Sequence, residues 1–307
     1  CQEHHIQITE QEVIMTCGAA GALNVILKTL LDPGDEVLCP KPYFVEYGFY
    51  ADNHGGTLKT VPTTSDFSLD LKAIAEAITP KTKVFLFNSP NNPTGQVYSQ
   101  ESILALGDLL REQSQKYNRT IYLVADEPYR KIVYDNTDVP GIMTCYNESI
   151  VITSHSKDLS LPGERIGFLA VNPKTTYREQ LIAGMIMCNR TLGFVNAPAL
   201  MQRTIASTQG KSVAVSLYKR KRDLLCDGLS DCGYAVTKPA GAFYLFLKTP
   251  IDDDAAFVKA LQEELILTVP GSGFGGPGHI RLAYCVGDQT ITGALPGFKR
   301  VLERYSS

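Results

Sequence analysis

The sequence predicts an α/β fold: a large domain with a mostly parallel sheet covered by helices, then a smaller C-terminal α+β domain. Three observations carry this. Short apolar runs alternate with helical patterns over the first two hundred residues, as repeated βα units require. The strand-like runs are apolar throughout rather than alternating, so they belong inside a sheet covered on both faces. The pattern changes near residue 210, where a long charged helix introduces a different arrangement of strands. The expected domains are therefore residues 1–210 and 211–307.

Each element has its own signal. Leu23, Ile26, Leu27, Leu30 and Leu31 recur at i, i+3, i+4, i+7 and i+8, which is one buried helix face. Asp32-Pro33-Gly34-Asp35 stops that helix, and Glu36 to Cys39 reads as a strand. Leu71 to Ile78 reads as a short helix, and Val84-Phe85-Leu86-Phe87 as a buried strand. Ser99 is placed to cap a helix whose inner face is Ile103, Leu106, Leu109 and Leu110. Ile121 to Val124, Ser149 to Thr153 and Ile166 to Val171 read as further strands. Beyond residue 210 come a helix from Val213 to Leu229, a strand from Ala242 to Leu247, and a helix marked by Phe257, Leu261 and Leu265. Leu267-Thr268-Val269 and His279 to Tyr284 read as strands. A closing helix bears Ile291, Leu295, Phe298, Leu302 and Tyr305, with a kink expected at Pro296.

Composition removes several classes of function. With 307 residues, 44% hydrophobic and 20% charged, the chain has the balance of an ordinary globular enzyme. A net charge of −3 offers no basic surface to nucleic acid. No apolar run approaches the roughly 18 residues of a membrane span, and no signal-peptide pattern is present. The eight cysteines form no C-x-x-C pair, so reduced thiols in the cytoplasm are the simplest account. His4 and His5 are joined by no Cys/His cluster, and no metal is expected. The sequence begins at Cys1, as if trimmed.

The chemistry gathers where strands end. Lys157 follows the Ser149–Thr153 strand in Ser154-His155-Ser156-Lys157, and Arg165 lies eight residues on in Gly163-Glu164-Arg165. An amine forms a Schiff base with an aldehyde, while hydroxyls and a guanidinium hold an anion. Asn88-Ser89-Pro90-Asn91-Asn92-Pro93-Thr94-Gly95 follows the Val84 strand, and Asp126-Glu127-Pro128-Tyr129 follows the Ile121 strand. Singly these fit a turn, a solvated loop and a surface lysine. Ligands of open parallel sheets bind beyond the carboxyl ends of the strands, so all three clusters can meet on one edge. Thr16-Cys17-Gly18-Ala19-Ala20-Gly21 precedes the first helix. Its small residues would let a phosphate approach free N–H groups at the positive end of the helix dipole.

Taken together, these motifs resemble the class I/II aminotransferases among the fold-type-I pyridoxal 5′-phosphate enzymes. The resemblance runs from about residue 10 to the C-terminus. It implies pyridoxal 5′-phosphate as cofactor and Lys157 as its Schiff-base lysine. Asp126 would pair with the pyridine nitrogen, and Tyr129 and Asn92 would hydrogen-bond the phenolic oxygen. Tyr43, in Pro40-Lys41-Pro42-Tyr43, matches the aromatic residue that stacks on the ring. Ser154, Arg165 and the backbone at Ala19 and Ala20 would bind the phosphate. Arg281, in Ile280-Arg281-Leu282, matches the arginine that grips the substrate α-carboxylate, with Asn92 beside it.

The implied activity moves an amino group from an amino acid to a 2-oxo acid, ping-pong fashion, through an internal aldimine. A homodimer is implied as well. Two rival readings use the same residues: a C–S β-lyase, and a non-catalytic regulatory domain of aminotransferase type. Ala19 and Ala20 stand where many relatives carry a hydroxyl, so phosphate binding there would rest on the backbone. His155 stands where relatives usually have an apolar or small residue. Relatives also carry an N-terminal segment ahead of the point where this sequence starts. The chain is expected to lack that arm, its part of the substrate gate and a phosphate contact it makes through a partner subunit.

Overall fold

A computed structural model describes residues 4–305. Seven strands form one twisted sheet: β1 (Val13–Thr16), β2 (Glu36–Lys41), β3 (Thr57–Pro62), β4 (Thr82–Asn88), β5 (Tyr122–Asp126), β6 (Ser149–Ser154) and β7 (Gly167–Val171). Their spatial order is β1-β7-β6-β5-β4-β2-β3. The pairs from β3 through β6 are parallel, and β7 runs antiparallel to both β6 and β1. The expectation of a mostly parallel sheet holds.

Strand β4 shows why its run is apolar without alternation. Val84 and Leu86 face one core, which also holds Leu23, Ile26 and Leu27 of α1 (Gly18–Leu30). Phe85 and Phe87 face a second core, with Ile103, Leu106 and Leu110 of α4 (Gln100–Lys116). Successive strand residues point to opposite faces, and both faces here are covered. Each fully buried side chain of this size contributes about 1.5–3 kcal/mol. Ser99 caps α4 as expected, its Oγ accepting from the Ser102 N–H at 3.1 Å.

Short connections place α2 (Glu46–Asp52) after β2, α3 (Leu71–Ala77) before β4, and α5 (Ile142–Cys145) before β6. After β6 the chain makes one helical turn, α6 (His155–Asp158), before β7. Two helices follow that periodicity did not mark, α7 (Arg178–Thr191) and α8 (Ala199–Ser207). On α7 the exposed Ile186 and Met187 blur the apolar stripe. The charged helix α9 runs Val215–Asp231 and leads to a three-stranded antiparallel sheet. Its strands are β8 (Tyr244–Lys248), β9 (Val269–Pro270) and β10 (His279–Ala283), in the order β8-β10-β9. Helices α10 (Asp254–Glu263) and α11 (Asp288–Tyr305) complete this part. Its core includes Leu225, Leu245, Phe257, Ile280 and Phe298.

Two expectations are corrected here. Leu265 is not on the inner face of a helix: α10 stops at Glu263, and Leu265 adopts φ +60° with 92% of its surface exposed. A left-handed residue ends the helix two positions early. Leu267 is likewise exposed, so only Val269 of the expected Leu267–Val269 strand pairs with β10. Helix α11 continues through Pro296. Among the described residues, no helix is long and apolar enough to cross a membrane.

Candidate active site

The strand ends meet in register. In the β4–β5 pair Asn88 lies opposite Asp126, and in the β5–β6 pair Asp126 lies opposite Ile152, two residues before Ser154. Beyond these ends is a cavity of about 170 Å³. Of the ten residues singled out from sequence, eight line it: Ala19, Ala20, Asn92, Asp126, Tyr129, Ser154, Lys157 and Arg165. The loops after three parallel strands and the start of α1 converge, as the strand-end argument requires.

One end of the cavity suits an anion. Helix α1 starts at Gly18, and no side chain caps it, so its first N–H groups are open to a ligand. The hydroxyl residues Ser154 and Ser156 lie in the same wall. Arg165 completes it from a left-handed turn (φ +50°), with its Nη1 donating to the Pro162 carbonyl at 2.8 Å. Gly18 has φ +71°, and a Cβ added there would stand 3.0 Å from Arg165 Nη2. Gly18→Ala is therefore expected to strain the turn by about 1–2 kcal/mol and to displace the guanidinium. Lower thermal stability together with weaker binding of inorganic phosphate would be the readout.

The same cavity wall holds a buried carboxylate. Asn88 Nδ2 donates to the Asp126 carbonyl at 2.7 Å, and the Asn92 N–H donates to Asn88 Oδ1 at 2.6 Å. Asn88 thus ties the Asn-Asn-Pro-Thr-Gly loop to the end of β5. The Tyr47 hydroxyl donates to Asp126 Oδ2 at 2.6 Å, while Oδ1 is buried with no partner among the described residues. Burial pushes the Asp126 carboxyl up to about 7. The Tyr47 hydrogen bond pulls it down and the Glu127 charge adds to the rise. An oxygen left in that state calls for an N–H donor from a ligand.

Lys157 lies in the same wall. Its Nζ lies 5.5 Å from the Phe243 ring centroid and 6.0 Å from that of Tyr129. Burial lowers its proton affinity, Cys285 opposes this, and the charges of Arg165 and Arg281 add to the lowering. The amine therefore loses its proton more readily than a free lysine, as a nucleophile or base needs. The Tyr129 hydroxyl donates to the Tyr244 hydroxyl at 3.3 Å, and burial holds Tyr129 protonated.

Arg281 approaches from the smaller sheet. It is not part of the cavity wall, but its Nη1 donates to Asn92 Oδ1 at 3.1 Å. Its guanidinium lies 4.6 Å from the ring centroids of both Tyr244 and Phe274.

Tyr43 lies outside the cavity wall: its ring lies beside Gly275, and its N–H donates to the Phe274 carbonyl at 3.0 Å. The aromatic residue in the cavity wall is its neighbour Phe44. Sequence reasoning also missed Tyr47 and Tyr50, and gave Asn88 no role of its own within its cluster. Tyr47 lies one helical turn after Phe44, the only local hint of its place. His155 turns away into a different cavity, with Nδ1 3.2 Å from Asp158 Oδ2, and Lys131 Nζ donates to that same oxygen at 3.2 Å.

This geometry offers an anion cradle, an amine of lowered proton affinity, and a buried carboxylate oxygen awaiting a donor. Residues 2–295 match the family "Aminotransferase class I and II". A probable aspartate aminotransferase of Methanocaldococcus jannaschii is 36% identical over 98% of this chain and 80% of its own length. An amino transferase of Eubacterium rectale superposes with a TM-score of 0.98 at 40% identity, over the whole of this chain and 77% of its own. The aspartate aminotransferase of Thermus thermophilus solved with maleate gives a TM-score of 0.83 at 30% identity, over 98% of this chain and 78% of its own. The chain belongs to the class I and II aminotransferases, which makes it a pyridoxal 5′-phosphate-dependent transaminase.

Proposed function

We propose that the cavity beyond β4, β5 and β6 is where this transaminase holds its cofactor and exchanges the amino group. The observation that carries the reading is Asp126, in the cavity wall, whose buried Oδ1 has no partner among the described residues. A pyridinium N–H is the donor it lacks. The opposite end, with Arg165, Ser154, Ser156 and the N–H groups at Ala19 and Ala20, fits the phosphate of the same molecule. Pyridoxal 5′-phosphate, when bound, supplies an aldehyde to carry the amino group and a ring that acidifies the substrate Cα–H.

The side chains then divide the work. Lys157 is the amine that tethers the cofactor and, once released, moves the proton to and from the substrate Cα. Asp126 keeps the ring nitrogen protonated, since a neighbouring carboxylate favours the cation. Phe44 covers the ring. Tyr129 and the Asn92 amide nitrogen are donors for the phenolic oxygen. Arg281 receives the substrate α-carboxylate as a fork, which a lysine cannot reproduce. Donor and acceptor share this one site, so the two half-reactions alternate.

The names of the relatives make aspartate the first donor to assay, with a 2-oxo acid as acceptor. Arg281→Lys is expected to raise KM for the donor about 10- to 100-fold, the loss of a charge-assisted bidentate contact. The cofactor's absorption should change little. Steady-state kinetics with aspartate test both statements. An unchanged KM would remove Arg281 from carboxylate binding, and no turnover across a panel of amino donors would remove the transaminase reading of this cavity.

We also assign residues 1–210 and 211–307 as the two domains. The separate sheet and core of the second part support this, although Tyr129, Ile132 and Tyr134 reach into that core from the first. A homodimer is proposed on the exposed apolar side chains Ile186, Met187, Val195 and Leu200. A cytoplasmic setting is supported by the described cysteines, all free thiols.

A further inference from the structure

Asp126 lies deep at the end of β5. Among the described residues, its side chain has one hydrogen-bond partner, the Tyr47 hydroxyl at 2.6 Å on Oδ2. Tyr47 comes from α2, 79 residues away in sequence, and its side chain is fully buried. Its N–H donates to the Phe44 carbonyl at 3.1 Å. The Phe44 ring meets it edge-on, with centroids 5.6 Å apart at 79°. The start of α2 therefore supplies both a wall of the cavity and a brace for the carboxylate. Burial holds the Tyr47 phenol well above its ordinary value, so it stays a donor wherever the enzyme is folded.

A carboxylate with no directional partner presents its two oxygens equally. A donor fixed on one of them leaves the other as the free acceptor. We propose that Tyr47 is a positioning residue for transamination: its hydroxyl holds Asp126 Oδ2 and thereby presents Oδ1 to the cofactor's ring N–H. The proposal rests on the reading of Asp126 as the partner of that nitrogen. Several groups around Asp126 bear on its titration. Tyr47 lowers its proton affinity and Glu127 raises it, while Cys39, Tyr50 and Tyr129 feel its charge. Without Tyr47, burial acts on the carboxyl with less opposition.

Tyr47→Phe removes one oxygen and keeps the ring, so the packing is preserved. The holoenzyme is expected to lose about tenfold in kcat, with KM for the donor within about twofold. The dissociation constant for pyridoxal 5′-phosphate should rise about tenfold, as for loss of a hydrogen bond to a charged group. The acid limb of activity should move to higher pH. Tyr234→Phe is the control, because that buried hydroxyl donates to the Phe298 carbonyl at 2.9 Å in the smaller domain's core. It should lower stability and leave affinity and pH profile alone.

Asp126→Asn separates the two claims. If it abolishes turnover while Tyr47→Phe merely melts earlier, with wild-type affinity and pH profile, the role of Tyr47 is overturned and that of Asp126 stands. If Asp126→Asn keeps wild-type turnover and cofactor affinity, the underlying reading is overturned with it.

Discussion

Lys157→Ala is expected to abolish transamination and covalent capture of the cofactor together. Proton transfer by a positioned group is worth ~10²–10⁴ in rate, and the variant loses the tether as well. The surroundings explain why this amine serves. It is partly buried near two aromatic rings, and the charges of Arg165 and Arg281 discourage its protonated form. Burial is the largest of these effects and cannot be supplied by a surface lysine. Lys157→Arg keeps a cation there but no nucleophile, so it should be as inactive as the alanine variant. Borohydride treatment followed by intact-mass measurement checks this directly. Wild type should gain a fixed adduct on the peptide holding Ser154 to Arg165, and both variants should not. An adduct at another lysine, with activity retained, would transfer the role elsewhere.

Asp126→Asn is expected to produce opposite effects with and without cofactor. In the cofactor-free protein the Asp126 carboxyl is raised from 3.8 to about 7. The folded state then binds a proton that the unfolded chain has already released. Stability is fully present below about pH 4, falls as pH rises, and has lost its share above about pH 7. Three pK units correspond to roughly 4 kcal/mol. An asparagine does not titrate, so Asp126→Asn should flatten the melting profile between pH 4 and 7 and raise the melting temperature at pH 8. With cofactor, the same substitution removes the anion proposed to keep the ring nitrogen cationic, and kcat should fall by about 10²-fold or more. Melting curves of the cofactor-free proteins across that pH range, beside steady-state rates, test both halves. A wild-type pH slope retained in the asparagine variant would show that another group carries it.

Much of this was readable from sequence because it rests on local order. Lys157, Asp126 and Asn92 each follow an apolar strand, and a parallel sheet carries such residues to one edge. The sequence points to Tyr43 while Phe44 lines the cavity, because the two are neighbours of similar character. Only the turn into α2 decides which ring faces inward. For Tyr47 the sequence offers only its spacing from Phe44. Its partner is 79 residues away, and nothing in Glu46-Tyr47-Gly48 separates a buried donor from an ordinary core tyrosine. His155 looked anomalous against the resemblance because its neighbour Asp158 is one helical turn along and its cation Lys131 follows another strand. Leu265 misled for a different reason. Its spacing fits α10, but a left-handed backbone takes it out of the helix, and periodicity carries no record of that.

On the role proposed for Arg281, its contact with Asn92 gives substrate recognition the character of a partner exchange. The guanidinium does not wait in water; it already donates to an amide oxygen. An incoming carboxylate must outcompete that neutral acceptor, and a charged one does so by about 1–2 kcal/mol. Molecules that lack the negative group gain nothing by displacing the amide. On the role proposed for Arg281, uncharged look-alikes are refused before chemistry begins, because only an anion displaces Asn92 from the guanidinium.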